Sequence, residues 1–214
     1  MADRSLPRLL EYIAVRFVFR LALVVLFRYR CQGRAKMPAV GTVLVCANHQ
    51  SFLDPPLVGC AFNRHMSYLA RKSLFRWRPF GRFIATLDAI PLDQEGLGMA
   101  GLKESLRRLK RGEALVIFPE GTRSPDGDMA ELKPGFCVLA RRSAVTMLPV
   151  GIDGSHQAWP RSSFLPRPGR VQLVVGDPIP PEVVRQLDDI ALAAEVERRI
   201  RDCLRQAREI RSRR

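Results

Sequence analysis

The 214-residue chain reads as α/β, with a mostly parallel central sheet flanked by helices and an N-terminal amphipathic membrane-binding helix. Three observations carry that reading. Short β-branched or apolar runs bounded by Gly, Pro or Asp alternate with stretches of helical spacing. The runs are continuously apolar, as in strands covered on both faces. The most hydrophobic stretch, Arg8 to Arg30, contains no Gly or Pro.

That stretch is helical in composition, but its longest uncharged run is Leu21 to Phe27. At about 1.5 Å per residue this run covers roughly 10 Å of a hydrocarbon core about 30 Å thick. Holding Arg16 and Arg20 at mid-bilayer costs about 2.5–3.5 kcal/mol each, and the large apolar side chains from Ile13 to Phe27 return roughly 0.3–0.6 kcal/mol apiece. The two sums nearly cancel. A helix lying in the interface avoids the conflict, with Arg16 and Arg20 toward the headgroups and Phe17, Leu21, Val24 and Val25 inserted. The alternative is a helix packed on the domain's own core. FRYRCQGR is too basic and bulky for a cleavage site, so the segment is expected to stay attached. Residues 1–32 are assigned to this membrane-associated segment and 33–214 to the folded domain with its C-terminal helix.

The strands expected next are Thr42–Ala47, Met66–Ala70, Ala89–Leu92, Ala114–Phe118, Thr146–Ile152 and Val171–Val175. Helical spacing marks Pro55–Phe62, Ser73–Thr86, Leu97–Arg111 and Pro134–Ser143. Gly154–Gly169, with Pro160, Pro166 and Pro168, reads as a surface loop. From Pro181 to Arg214, Ile190, Ala193, Val196, Ile200, Cys203, Ala207 and Ile210 recur at steps of three or four, predicting one helix with one buried face and its arginines outward.

Composition narrows the function. With 47% hydrophobic residues the chain folds around a core, and its length suits one domain. Five scattered cysteines indicate neither a zinc knuckle nor a disulfide framework, and a reducing compartment is expected. The formal charge of +14 points to anionic partners without choosing among nucleic acid, lipid headgroups and phosphorylated metabolites.

Two loops carry the chemistry. Directly after the first strand comes Asn48-His49-Gln50-Ser51-Phe52-Leu53-Asp54-Pro55-Pro56. On a continuous helix, residues five apart stand about 140° from each other, so His49 and Asp54 can meet only if the chain turns between them. Asp54 before two prolines predicts a helix N-cap. One carboxylate oxygen can cap while the other holds the imidazole N–H, making His49 an oriented general base. The strand ALVIF then runs into Pro119-Glu120-Gly121-Thr122-Arg123-Ser124, at the strand end where open α/β sheets gather their sites. Taken alone, Glu120 and Arg123 would read as a surface ion pair.

Together, His49-x4-Asp54 within NHQSFLD and the FPEGTRS run roughly 70 residues later resemble the signature blocks of the glycerolipid acyltransferase family. Lys133-Pro134-Gly135 and Leu148-Pro149-Val150 follow as that family's later blocks do, and the resemblance covers about residues 33–180. It implies that His49 takes a proton from an acceptor hydroxyl, Asp54 supports the imidazolium, and the oxygen attacks a fatty acyl thioester. The acceptor site it implies is lined by Glu120, Gly121, Thr122 and Arg123, with Arg123 on a phosphate and Glu120 positioning the hydroxyl. Arg71 and Asn48 join as substrate-binding residues. No cofactor or metal is implied beyond the donor substrate, acyl-CoA or an acyl-carrier protein. The expected reaction is acylation of 1-acyl-glycerol-3-phosphate (lysophosphatidic acid) to phosphatidic acid in phospholipid biosynthesis, at the cytoplasmic face of a membrane, peripheral or monotopic. One block departs: Ala89-Ile90-Pro91-Leu92-Asp93 is followed by Gln94 where the family usually has Arg, which leaves a different lyso-lipid or polar acceptor open.

Rival readings fit less well. A lipase-type Gly-x-Ser-x-Gly elbow is lacking. Cys46, within VLVCAN, reads as core rather than nucleophile. Nucleic-acid binding would account for the charge, yet no zinc finger, RNP block or helix-turn-helix accompanies it, so no nucleic-acid partner is expected. A membrane scaffold with dead chemistry is opposed by the intact His49, Asp54, Glu120 and Arg123.

Overall fold

The structure is a computed structural model that describes residues 6–76, 78–86, 89–92, 99–143 and 145–213. In chain order its elements are α1 (Leu6–Phe27), β1 (Arg30–Gln32), β2 (Val43–Ala47), α2 (Asp54–Ala61), β3 (Met66–Arg71), α3 (Arg78–Thr86), β4 (Ala89–Leu92), α4 (Met99–Lys110), β5 (Ala114–Ile117), α5 (Cys137–Ser143), β6 (Thr146–Asp153), α6 (Ser155–Ala158), β7 (Gln172–Val175), α7 (Pro181–Gln186) and α8 (Asp189–Ser212).

Seven strands among the described residues form one sheet in the order β1-β7-β6-β2-β5-β3-β4. From β6 to β4 all neighbours are parallel; β7 runs antiparallel to β6, and β1 parallel to β7. The sheet is therefore mixed but mostly parallel, a frequent arrangement when one side of a parallel sheet reverses.

β2 lies at the centre, with all of VLVCA buried. Its alternation divides the core. Val43, Val45 and Ala47 belong to a cluster with Leu23 and Phe27 of α1 and Leu57 and Val58 of α2. Leu44 and Cys46 belong to another with Leu139 of α5 and Val196 and Ile200 of α8. Helices thus cover both faces. Against the sheet, α8 approaches so closely that a Cβ on Gly151 would stand 2.2 Å from the Leu204 backbone nitrogen.

Several expectations need correction. β1 has no counterpart in the sequence reading, because RCQ lacks apolar alternation; it pairs because α1 delivers it beside β7, where Arg30 N donates to Val171 O at 3.1 Å. The C-terminal helix is two helices. Leu187 is extended, and Asp188 caps α8 by accepting from Ala191 N at 2.7 Å. The buried stripe consequently starts at Leu192, leaving Ile190 81% exposed. Ser73–Thr86 divides into a 3₁₀ turn, Lys72–Phe75, and α3, and the Gly154–Gly169 loop opens with α6.

In α1 the correction concerns one arginine. Arg16 does not point away from the domain: its guanidinium donates to Phe62 O at 2.9 Å, where α2 ends, and satisfies a carbonyl the helix leaves free. Phe17, Leu21, Val24 and Val25, the side chains expected to face outward, are exposed, as are Val18 and Leu26, while Tyr12, Leu23 and Phe27 are buried. No described helix is long and apolar enough to cross a membrane.

Candidate active site

The register of the two central strands determines where the chemistry falls. Cys46 of β2 lies opposite Ile117 of β5, and His49 and Glu120 each follow three residues later. Both chains therefore leave the sheet at the same edge and height. His49 N donates to Glu120 Oε1 at 2.6 Å, and Ala130 N donates to Oε2 at 2.9 Å. Glu120 is 2% exposed, so it sits beneath the turn rather than on the surface. Burial, with the Asp54 charge nearby, pushes its carboxyl from the ordinary 4.5 up to about 7, against the pull of the two N–H donors.

Beyond His49 the chain turns back, and Asp54 becomes the first residue of α2, with Leu53, not Asp54, as N-cap. The Asp54 carboxylate reaches backward instead of capping forward. Its Oδ2 accepts from Gln50 N and Ser51 N, both at 2.6 Å, and meets His49 Nδ1 at 2.8 Å. The cap and ring contacts expected on separate oxygens are replaced by three contacts on one; Oδ1 is buried without a hydrogen-bond partner. An ionised carboxylate only accepts, so Nδ1 carries the hydrogen and Nε2 keeps its lone pair. The Asp54 side chain is fully buried and that of His49 is 18% exposed. Phe118 stacks on the imidazole with centroids 4.1 Å apart and planes at 20°. Ser124 N donates to His49 O at 2.7 Å, joining the two motif loops. A fixed, oriented imidazole with one basic nitrogen is what proton abstraction requires.

The acyltransferase family model matches residues 28–153, more than half of the chain, and spans both loops. The chain belongs to the acyltransferase family. It is 26% identical over 148 residues to the 1-acyl-sn-glycerol-3-phosphate acyltransferase of Bacillus subtilis, covering 69% of this chain and 71% of that one. It is 31% identical over 166 residues to the protein of the same name from Pseudomonas aeruginosa, covering 75% of this chain and 63% of the relative, so the match spans less than two thirds of that protein. The crystal structure of the 1-acyl-sn-glycerophosphate (LPA) acyltransferase PlsC from Thermotoga maritima superposes with a TM-score of 0.82 at 27% identity, over 98% of this chain and 83% of that one.

Around the His–Asp pair, this acyltransferase arranges the other sequence-selected residues unevenly. Arg123 is half-buried, its guanidinium carbon 3.5 Å from the centroid of the Phe52 ring, which in turn lies 5.4 Å from Trp159. The stacking holds the planar fork against the ring. Gly121 takes φ +73°, and its N–H donates to Phe118 O at 3.0 Å, closing the turn that carries Thr122, which is exposed, and Arg123. Arg71 ends β3. Since Tyr68 pairs with Val116, Arg71 comes level with Pro119 at the edge where the site lies. Asn48 is used internally: its amide donates to Ile152 O at 2.9 Å and accepts from Ile152 N at 2.7 Å. Gln94 lies outside the described residues.

Sequence reasoning did not single out Gln50, Phe118 or Ser155. Gln50 bridges the loops, donating to Gly127 O at 2.5 Å and accepting from Ser155 Oγ at 3.2 Å. Its place beside His49 was the available signal. Cys46 is fully buried and its thiol is pushed far up by burial, so it cannot serve as the nucleophile. Among the described residues no group of three or more His, Cys, Asp or Glu could hold a metal ion.

Proposed function

We propose that this acyltransferase moves a fatty acyl chain from an acyl thioester, acyl-CoA or an acyl-carrier protein, to the free hydroxyl of 1-acyl-glycerol-3-phosphate, yielding phosphatidic acid. The observation that carries the reading is the 2.8 Å contact between His49 Nδ1 and Asp54 Oδ2 at the strand ends. The relatives, 1-acyl-sn-glycerol-3-phosphate acyltransferases by name, support the acceptor.

In this mechanism His49 Nε2 takes the hydroxyl proton as the oxygen attacks the thioester carbonyl. The tetrahedral intermediate collapses with loss of the C–S bond, and the departing sulfur receives the proton from His49. Asp54 stays ionised and stabilises the imidazolium; general-base assistance of this kind is worth about 10²–10⁴ in rate. Arg123 takes the acceptor phosphate, with Arg71 as a second cation. Glu120 acts beneath the turn, fixing the height of the His49 backbone. The helix α1 lies on a bilayer with Phe17, Leu21 and Val25 in the lipid, at its cytoplasmic face, as the membrane segment of an acyltransferase domain that begins near residue 33.

The decisive test is a labelled thioester with an acceptor panel. His49→Ala abolishes transfer without unfolding the protein, and Arg123→Ala raises the acceptor KM far more than the donor KM. Near-wild-type turnover in the first variant, or equal changes in the second, would refute the assignments. Preference for an acceptor without a phosphate monoester would replace the lysophosphatidate reading, as the Gln94 departure allows.

A further inference from the structure

The loop between α6 and β7 carries an apolar tip that the chemistry leaves unused. Phe164 and Leu165 are 92% and 66% exposed, and Phe164 is the most exposed large apolar side chain among the described residues. The tip is held out by its own bonds. Trp159 Nε1 donates to Ser163 O at 3.1 Å, Ser163 Oγ to Leu165 O at 2.8 Å, and Arg167 N to Ala158 O at 2.7 Å. Three prolines, Pro160, Pro166 and Pro168, stiffen it further.

Charge and continuity identify the occupant. Arg161, Arg167 and Arg170 flank the tip and are exposed, and no Asp or Glu occurs from Gly154 to Gly176. On α8, by contrast, Arg198, Arg199, Arg201 and Arg205 each pair with an acid one turn away. The loop is also tied to the end of α1: Gly169 N donates to Leu26 O at 3.2 Å and Val171 N to Phe27 O at 2.9 Å. Leu26 is itself exposed, so the outward apolar face of α1 continues toward the loop.

We propose that the Phe164–Leu165 tip is a second membrane anchor, inserting into an anionic bilayer while Arg161, Arg167 and Arg170 meet lipid phosphates. The inference rests on the reading of α1 as a helix lying on the bilayer. Two anchors resist rotation where one helix does not. At the base of the loop, Trp159 sits against Phe52, which carries Arg123, so the bilayer lies beside the residue assigned to the acceptor phosphate.

Flotation with vesicles of phosphatidylcholine, with and without phosphatidylglycerol, tests this on the full chain. The double variant Phe164→Ser, Leu165→Ser should partition at least roughly tenfold more weakly. Replacing Arg161, Arg167 and Arg170 by Gln should remove up to roughly a hundredfold of the preference for phosphatidylglycerol, about fivefold per cation. Turnover of a short-chain, water-soluble acceptor should stay at the wild-type level in both. Wild-type partitioning of the loop variants would overturn the proposal, and so would a change in their oligomeric state with partitioning intact, which would assign the tip to a second copy. Failure of the α1 reading shows separately, as wild-type binding by Phe17→Ser, Val25→Ser. Failure of the acyl-transfer reading shows as no turnover by the wild type, while flotation still reports on the loop.

Discussion

At the scale of single residues, the site depends on one carboxylate oxygen. Asp54 Oδ2 receives the imidazole and two backbone N–H groups, so it sets both the tautomer of His49 and the shape of the turn. Asp54→Asn keeps an oxygen for the backbone donors but removes the charge that fixes Nδ1–H. It should lower kcat by about 10²–10⁴ with little change in either KM, measured with saturating thioester. Glu120 adds a pH dependence. Its folded-state pKa is raised from 4.5 to about 7, so its contribution to stability is complete below 4.5 and is lost as the pH rises through 7. Glu120→Gln should abolish this loss: in urea melts the wild type weakens relative to the variant between those values, by at most about 1.4 kcal/mol per pH unit. The pairing of His49 with Asp54 was legible through the resemblance carried by the two motifs together; the spacing said only that the side chains meet if the chain turns between them. The direction in which Asp54 reaches was not, since an Asp before prolines serves equally as cap or as backward brace. Glu120's place beneath His49 follows from strand register, which residue identity does not encode.

Among the elements, six of the seven described strands were readable to within a residue or two because doubly covered strands are continuous apolar runs, whereas the short, polar β1 was not. Helix breaks were harder. The α7–α8 break turns on two extended residues, Leu187 and Asp188, inside an unbroken polar–apolar pattern, and the pattern could be laid one turn off, as Ile190 shows. In α1 the outward apolar side chains were readable, but the inward turn of Arg16 was not, because amphipathicity alone does not say that Arg16 will cap the end of α2. Contact between α8 and β6 offers a sharp test. At Gly151 even a methyl group would meet the Leu204 backbone, which cannot yield as a side chain can. Gly151→Val should therefore cost about 3 kcal/mol or more, read as a lower midpoint in thermal or denaturant melts, with α8 displaced rather than locally adjusted.

For the whole molecule, the charge of +14 is distributed unevenly. Much of α8's share is neutralised within the helix, leaving the loop before β7 as a cationic stretch without acids. Binding to anionic vesicles should weaken as salt shortens the Debye length from about 10 Å at 0.1 M to about 3 Å at 1 M. A fraction carried by exposed apolar side chains should persist at the higher salt in co-sedimentation. The fact that α1 is sewn into the fold from its inner side has a practical corollary. Leu23 and Phe27 fill the same core as β2, and the Leu26 and Phe27 carbonyls hold the strand that follows the loop. Cutting the helix away to obtain a tractable soluble fragment would hollow the interior and unfasten that side of the sheet. A detergent-free preparation is better sought by recolouring the helix's outer stripe with polar residues while leaving its inner seam intact.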